Sequence, residues 1–268
     1  MRRTFSNEFM YQLFSLIIAT IIVHAIYVTS VRPNADAVLE EQALRMQQEE
    51  NYSPPPSIAV IIRDYEQESC IILMLWAFAI LAYKARMIFN ERALLQRELL
   101  PVREGVRILP EDTREYGRAL QALPDETRKL LLPRVLLSAL ERFGATRNVQ
   151  DVSSVANAEC DSENERLDTE LAMIRYIAWA IPSLGFIGTV RGIGLALNEA
   201  HRAVEGDITG VTENLGTAFN STLVALLISL VLMFLVHQLQ LTQERLVLDA
   251  RTYVDHNLVR HMQARGGP

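Results

Sequence analysis

Four stretches of this sequence, residues 9–28, 70–83, 174–197 and 218–239, hold no aspartate, glutamate or lysine. Ionisable groups inside a bilayer are costly and mark ion pathways, so their absence means that this chain alone brings no carboxylate or amine able to carry a proton across a membrane midplane. Cysteine is scarce: Cys70 and Cys160 fall on opposite sides of a membrane once the apolar stretches are read as crossings, and no disulfide is expected. The five histidines, His24, His201, His237, His256 and His261, lack any spacing that suggests a metal site. The glycines of GFIGTVRGIG have no GK[ST] ending, which excludes a phosphate loop. There is no internal repeat, low-complexity tract or strand alternation. No catalytic constellation is present, so no enzyme, no bound cofactor and no nucleic-acid partner are expected.

What is present is apolar sequence gathered into blocks. Half of the 268 residues are apolar, 22% are charged and the net charge is −6; the charges lie between the four stretches. A helix needs about 20 residues to cross the hydrocarbon core, and the first, third and fourth stretches reach that length. The second, CIILMLWAFAILAY, reaches it if Lys84 and Arg86 extend to the interface. Residues 84–175 carry fifteen Lys and Arg; residues 31–69 carry three among eight acids, and 198–217 carry one. Basic residues stay on the cytoplasmic side, which puts the middle segment and both termini inside. The expected layout is crossings at 1–30, 70–89, 174–197 and 218–239. Between and after them lie an external linker 31–69, a cytoplasmic helical segment 90–173, an external loop 198–217 and a cytoplasmic helical tail 240–268. A signal sequence cut near Ala35–Asp36–Ala37 is the alternative and would leave three crossings, but an apolar core near 20 residues is long for one.

The fold class that follows is an all-α integral membrane protein with four transmembrane helices. A helical cytoplasmic domain is formed by the insertion between the second and third crossings together with the C-terminal extension. Within the insertion, Pro101 and Pro110 are expected to end the second helix, and DETRKLLLPRVLLSALERFG reads as an amphipathic helix kinked at Pro133 and stopped at Gly144. In the tail, Val247, Ala250, Val254 and Leu258 recur at helical spacing before the closing GGP.

The third and fourth crossings carry the unusual composition. At 100° per residue Ala178, Gly185, Gly188, Thr189, Gly192 and Ala196 fall in one stripe about 100° wide. On the fourth helix Ala218, Ser221, Thr222, Ala225 and Ser229 line one side and leucines the other. Small residues allow close helix packing in lipid, so either the two smooth faces pack on each other within a subunit, or they face foreign helices across a pore. Pro182 marks a helix kink and frees a backbone carbonyl that lipid cannot satisfy. Arg191 lies off the stripe and is expected to pair at a subunit boundary or reach outward, and His24 is expected at the interface.

AWAIPSLGFIGTVRGIGLAL, followed by NLGTAFNSTLVALLISLVLMFL, resembles the paired signature of the MotA/TolQ/ExbB proton channel family, in its four-helix, MotA-like layout. Pro182, Leu184, Gly185, Gly188, Thr189, Val190 and Gly192 match the first motif, and Thr222 with Ala225 the second. Two positions depart from it: Arg191 stands where many relatives have an apolar or aromatic residue, and Ala225 where glycine is common. The resemblance implies a homopentamer in the bacterial inner membrane. The ring surrounds a dimer of a single-span MotB/TolR/ExbD-like partner, which carries a transmembrane aspartate. Protons or sodium passing that aspartate would drive a rotary motor or energy-transducing complex. It implies ion-path roles for Thr189 and Thr222, with Gly185, Gly188, Gly192, Ala218, Ser221, Ala225 and Ser229 as pore-facing small residues. A non-conducting membrane scaffold or signalling protein on the same helices is the alternative.

Overall fold

The computed structural model describes residues 2–48, 52, 54–97, 99–100 and 106–263. Pro101, the closing Gly266–Gly267–Pro268, and Asn51 and Ser53 of the proline-rich linker lie outside the described residues. Every element among the described residues is helical. α1 (Arg2–Ile26) passes through a π-helical turn, Tyr27–Val31, into α2 (Arg32–Gln48). α3 (Ile58–Ile61) precedes α4 (Tyr65–Leu95), and α5 (Thr113–Gln121), α6 (Asp125–Arg128), α7 (Leu131–Thr146) and α8 (Val149–Glu170) follow. α9 (Ala172–Asn198), α10 (Ala200–Val204) and α11 (Thr209–Asn257) complete the order. Four helical stretches, Glu8–Met46, Tyr65–Leu95, Val149–Asn198 and Thr209–His261, are long and apolar enough to cross a membrane.

The chain divides into two compact units. The first comprises Met1–Ala82 with Met173–Val236. In it α1 and α4 are joined by polar contacts as well as packing: Trp76 Nε1 donates to the Gln12 carbonyl at 2.9 Å and Tyr11 Oη to the Ala79 carbonyl at 3.1 Å. Amphipathic rings that satisfy their polar tips in this way suit an apolar setting. At the head of α4, Glu68 is buried and accepts from Arg32, while His24 Nδ1 lies 2.7 Å from its other oxygen. The Arg32 guanidinium also stacks over the Tyr65 ring at 4.3 Å.

The second unit, Tyr83–Ala172 with His237–Pro268, brings the insertion and the C-terminal segment around one core. α7 is its centre. Leu132, Val135, Leu136, Ala139, Leu140 and Phe143 are buried against Val152, Ala156 and Cys160 of α8 and against Val247, Ala250, Val254 and Leu258. Each large apolar side chain buried there contributes roughly 1.5–3 kcal/mol. An isolated parallel bridge, Ile108 with Met262, ties the two segments together.

Local structure departs from expectation in three places. Pro133 does not kink a helix: it sits in the first turn of α7, where a missing N–H removes no helical bond. α7 runs past Gly144 to Thr146, and the left-handed residue at its end is Arg147, at φ 56°. Lys84 does not reach outward: its side chain is 2% exposed and its Nζ lies 2.8 Å from Glu170 Oε2. That pair opens a chain of charges in which Arg166 bridges Glu170 and Glu163, and Arg134 bridges Glu163 and Glu159. Glu91, projecting from α4, accepts from the Leu131 N–H and so satisfies a free donor at the start of α7.

Candidate functional site: the helix pair α9 and α11

The site begins with a missing hydrogen. In an α-helix the N–H of residue 182 bonds the carbonyl of residue 178, and proline has none to give. Ser229 of α11 fills the vacancy, its hydroxyl donating to the Ala178 carbonyl at 2.9 Å. Ala178 is 1% exposed, so this side-chain donor replaces a bond that neither helix nor water provides.

Beyond Pro182 the two helices close to glycine distance. A Cβ built on Gly185 would lie 2.6 Å from the Ala225 Cβ, one on Gly188 2.5 Å from the Ser221 Cβ, and one on Gly192 2.7 Å from the Ala218 Cβ. All six residues are buried, and Ser229 is half-buried beside them. Of the two arrangements the sequence allows, packing of the smooth faces on each other is the one seen within this subunit. The physical reason is complementarity. Each glycine on α9 stands opposite an alanine or serine on α11, and in lipid such close packing is what draws helices together.

Thr189 and Thr222 meet at the edge of that contact, where both are half-buried. Their hydroxyls hydrogen-bond each other. Thr189 Oγ1 also lies 3.1 Å from the Ala218 carbonyl and 3.2 Å from the Gly185 carbonyl, and Thr222 Oγ1 lies 3.2 Å from the same Gly185 carbonyl. Two hydroxyls bring more lone pairs than protons. Once their protons are given to carbonyls or to each other, oxygen lone pairs remain to accept from a visiting donor or to ligand a cation.

Arg191 finds its partner inside the chain. Its Nε is 2.8 Å from Glu66 Oε1, its NH2 is 2.8 Å from Glu66 Oε2, and Asp64 stands at 3.6 Å. Within the chain this is a bidentate fork between α9 and the first turn of α4, a geometry that guanidinium and carboxylate favour. On α9, Arg191 and Thr189 are separated by about 200° of rotation, so the fork lies away from the threonine pair.

The model of the MotA/TolQ/ExbB proton channel family matches residues 128–252, a segment that contains both threonines and the whole of the α9–α11 contact. Over those residues, a little under half of its length, the chain is similar to that family. No curated protein and no solved structure matches it. The match to this channel and energy-transducing family and the four helices long and apolar enough to cross a membrane both point to a multi-pass membrane protein.

The MotA/TolQ/ExbB match leaves out α1 and α4, and there the structure adds residues that sequence reading passed over. Glu66 and Asp64 are the partners of Arg191, and Glu68 gathers Arg32 and His24. A signal for the first pair was available: an arginine within an apolar helix calls for a carboxylate on a neighbouring helix, and DYEQES supplies three at the head of the second crossing. His24, expected at an interface, carries a side chain that is 60% exposed and also touches Glu68.

Proposed function

We propose that the protein is the pore-housing subunit of an ion-motive-force-driven rotary or energy-transducing complex. Protons or sodium ions pass along the interface between this subunit and a transmembrane aspartate of a single-span partner. In this reading five copies surround a partner dimer in a bacterial inner membrane, with both termini and the second unit on the cytoplasmic side. The observation that carries it is the Thr189–Thr222 hydroxyl pair within the family segment. This pair is a polar, half-buried spot at the edge of a small-residue helix contact, on a chain whose four apolar stretches hold no aspartate, glutamate or lysine.

The chemistry asked of the site is modest. The partner carboxylate holds the proton or the cation, and the threonine oxygens offer ligands or hydrogen bonds as it passes. Between passages the hydroxyls close on each other and on the Gly185 and Ala218 carbonyls, so no bare donor faces the apolar surroundings.

The test uses the subunit purified with its partner, measuring complex mass and ion flux together. Thr189→Val and Thr222→Val keep the side-chain shape and remove the oxygen, so assembly is expected to persist while flux falls. Full flux from both variants refutes the assigned role. If valine also disperses the ring, Thr→Ser at each site, which keeps the hydroxyl, separates packing from conduction.

A further inference from the structure

A groove of about 700 Å³ lies between α5 and α7, wholly within the second unit. Its size falls in the range of small-ligand pockets, roughly 300–1,000 Å³. Leu137 and Leu140 contribute an apolar floor, and three arginines border it: Arg114 and Arg118 from α5 and Arg147 from the end of α7. Arg114 and Arg118 are one turn apart, so they project from the same side of α5. Arg147 enters from the other wall, off a left-handed backbone.

Two observations bear on this groove. Among the described residues no carboxylate stands within ion-pair distance of Arg114, Arg118 or Arg147, all three exposed. In the same unit Arg92, Arg128, Arg134, Arg166, Arg251 and Arg260 each pair with one, while Arg86, Arg97, Arg142 and Arg245 are exposed like the groove's three. The other observation is Gly117. It is buried, yet a Cβ built on it would meet nothing within 4 Å, because it looks into the open groove. Glycine is a poor residue for a helix interior, and alanine would fit without any clash. Glycine at this position leaves the groove beside Arg114 and Arg118 open.

We propose that the groove binds a small phosphate ester of nucleotide size. Guanidinium forks match phosphate oxygens in pairs, and three of them line one groove with no carboxylate among the described residues within ion-pair distance. Glu141 on the rim is an acceptor, so the ligand presents a hydroxyl or amino donor beside its phosphate, as a sugar phosphate or nucleotide does. The carboxylates that line the groove, Glu111 and Glu141, oppose a run of acidic side chains, which disfavours an acidic peptide. The inference does not depend on ion conduction by the α9–α11 pair.

The experiment is calorimetric titration of the full chain in detergent with inorganic phosphate, glycerol 3-phosphate and AMP, with thermal unfolding as the control for folding. AMP is expected to bind more tightly than inorganic phosphate. Arg114→Gln and Arg118→Gln should each weaken it about tenfold, the effect of losing one charge-assisted hydrogen bond. Gly117→Trp should abolish binding by filling the groove, and Arg142→Gln, on α7 but outside the groove, should leave it unchanged. If Gly117→Trp unfolds the unit, the two arginine variants decide. Tightest binding of glycerol 3-phosphate supports the same chemistry with a lipid headgroup as its source. Absence of heat with all three probes, or affinity unmoved by Arg114→Gln and Arg118→Gln, overturns the proposal. A poly-glutamate peptide that binds where the phosphate esters do not also overturns it, in favour of protein docking.

Discussion

Pro182 and Ser229 form a pair whose energetic coupling follows from the backbone. With proline in place the Ala178 carbonyl has no helical donor, and the Ser229 hydroxyl at 2.9 Å supplies one. Ser229→Ala should therefore leave a buried acceptor unsatisfied, a loss of about 1–3 kcal/mol in soluble proteins. Interhelical hydrogen bonds in bilayers average about 0.6 kcal/mol and reach about 1.7, because the unfolded chain in the membrane finds other partners. The Ala178 carbonyl belongs at the upper end, about 1–1.7 kcal/mol, since its own helix offers nothing in return. In a Pro182→Ala background the restored N–H satisfies the carbonyl, and Ser229→Ala should cost only about 0.5 kcal/mol or less. The difference, about 1 kcal/mol, is the coupling to be read from a double-mutant cycle on the full chain unfolded by SDS in mixed micelles. Equal costs in the two backgrounds, within about 0.3–0.5 kcal/mol, refute the reasoning and reduce the Ser229 contact to ordinary packing.

Gly188→Ala drives a methyl against the Ser221 Cβ and should destabilise the subunit by about 1–3 kcal/mol in the same assay. Gly194→Ala, which meets nothing within 4 Å, should be neutral or stabilising. Arg191→Gln, which leaves Glu66 and Asp64 without their cation, should cost about 1 kcal/mol, discounted because the arginine is partly exposed. Exchanging the charges, Arg191→Glu with Glu66→Arg, should recover most of that loss, and a swap no more stable than either single variant refutes the fork. A reporter fused after Gln150 should read cytoplasmic and one inserted at Tyr52 external; the opposite result at either site removes the four-crossing orientation built on the basic asymmetry.

Much of the helix pair was legible because its determinants are local. Proline removes a known hydrogen, glycine spacing fixes a face, and rotation by 100° per residue brings Thr189 onto the edge of the stripe. Sequence periodicity gives the face but not what covers it. The matching of Gly185 to Ala225, Gly188 to Ser221 and Gly192 to Ala218 is a property of two helices, and a stripe that fits a foreign helix reads the same as one that fits its own neighbour. The intrachain partners of Lys84 and Arg191 were missed for a related reason. Their partners, Glu170 and Glu66, lie 86 and 125 residues away in the chain, beyond any local pattern. The α7 misreading had another cause. Pro133 ends helices from inside but opens them from the first turn, and only the position of Leu130 as the cap decides which applies.

The packing of the stripe narrows what Thr189 and Thr222 can do. If the glycines and alanines lined a pore, the hydroxyls would be incidental features of a smooth wall. With those residues packed inside the subunit, the threonine pair is a polar element at the margin of the contact, half-buried. A site visited repeatedly by a partner carboxylate must be satisfied when the visitor is away, since an unpaired donor in an apolar setting costs several kcal/mol by order of magnitude. The threonine pair meets that condition through the Gly185 and Ala218 carbonyls. Under the proposed function, packing and conduction are successive states of the same two oxygens. It follows that Thr→Ser, which preserves the hydroxyl and adds rotamer freedom, should retain flux while loosening the resting contact, whereas Thr→Val should do the reverse. Parallel measurement of flux and of subunit stability for both substitutions distinguishes this exchange from a role confined to either state; a serine variant that loses flux with its stability intact contradicts it.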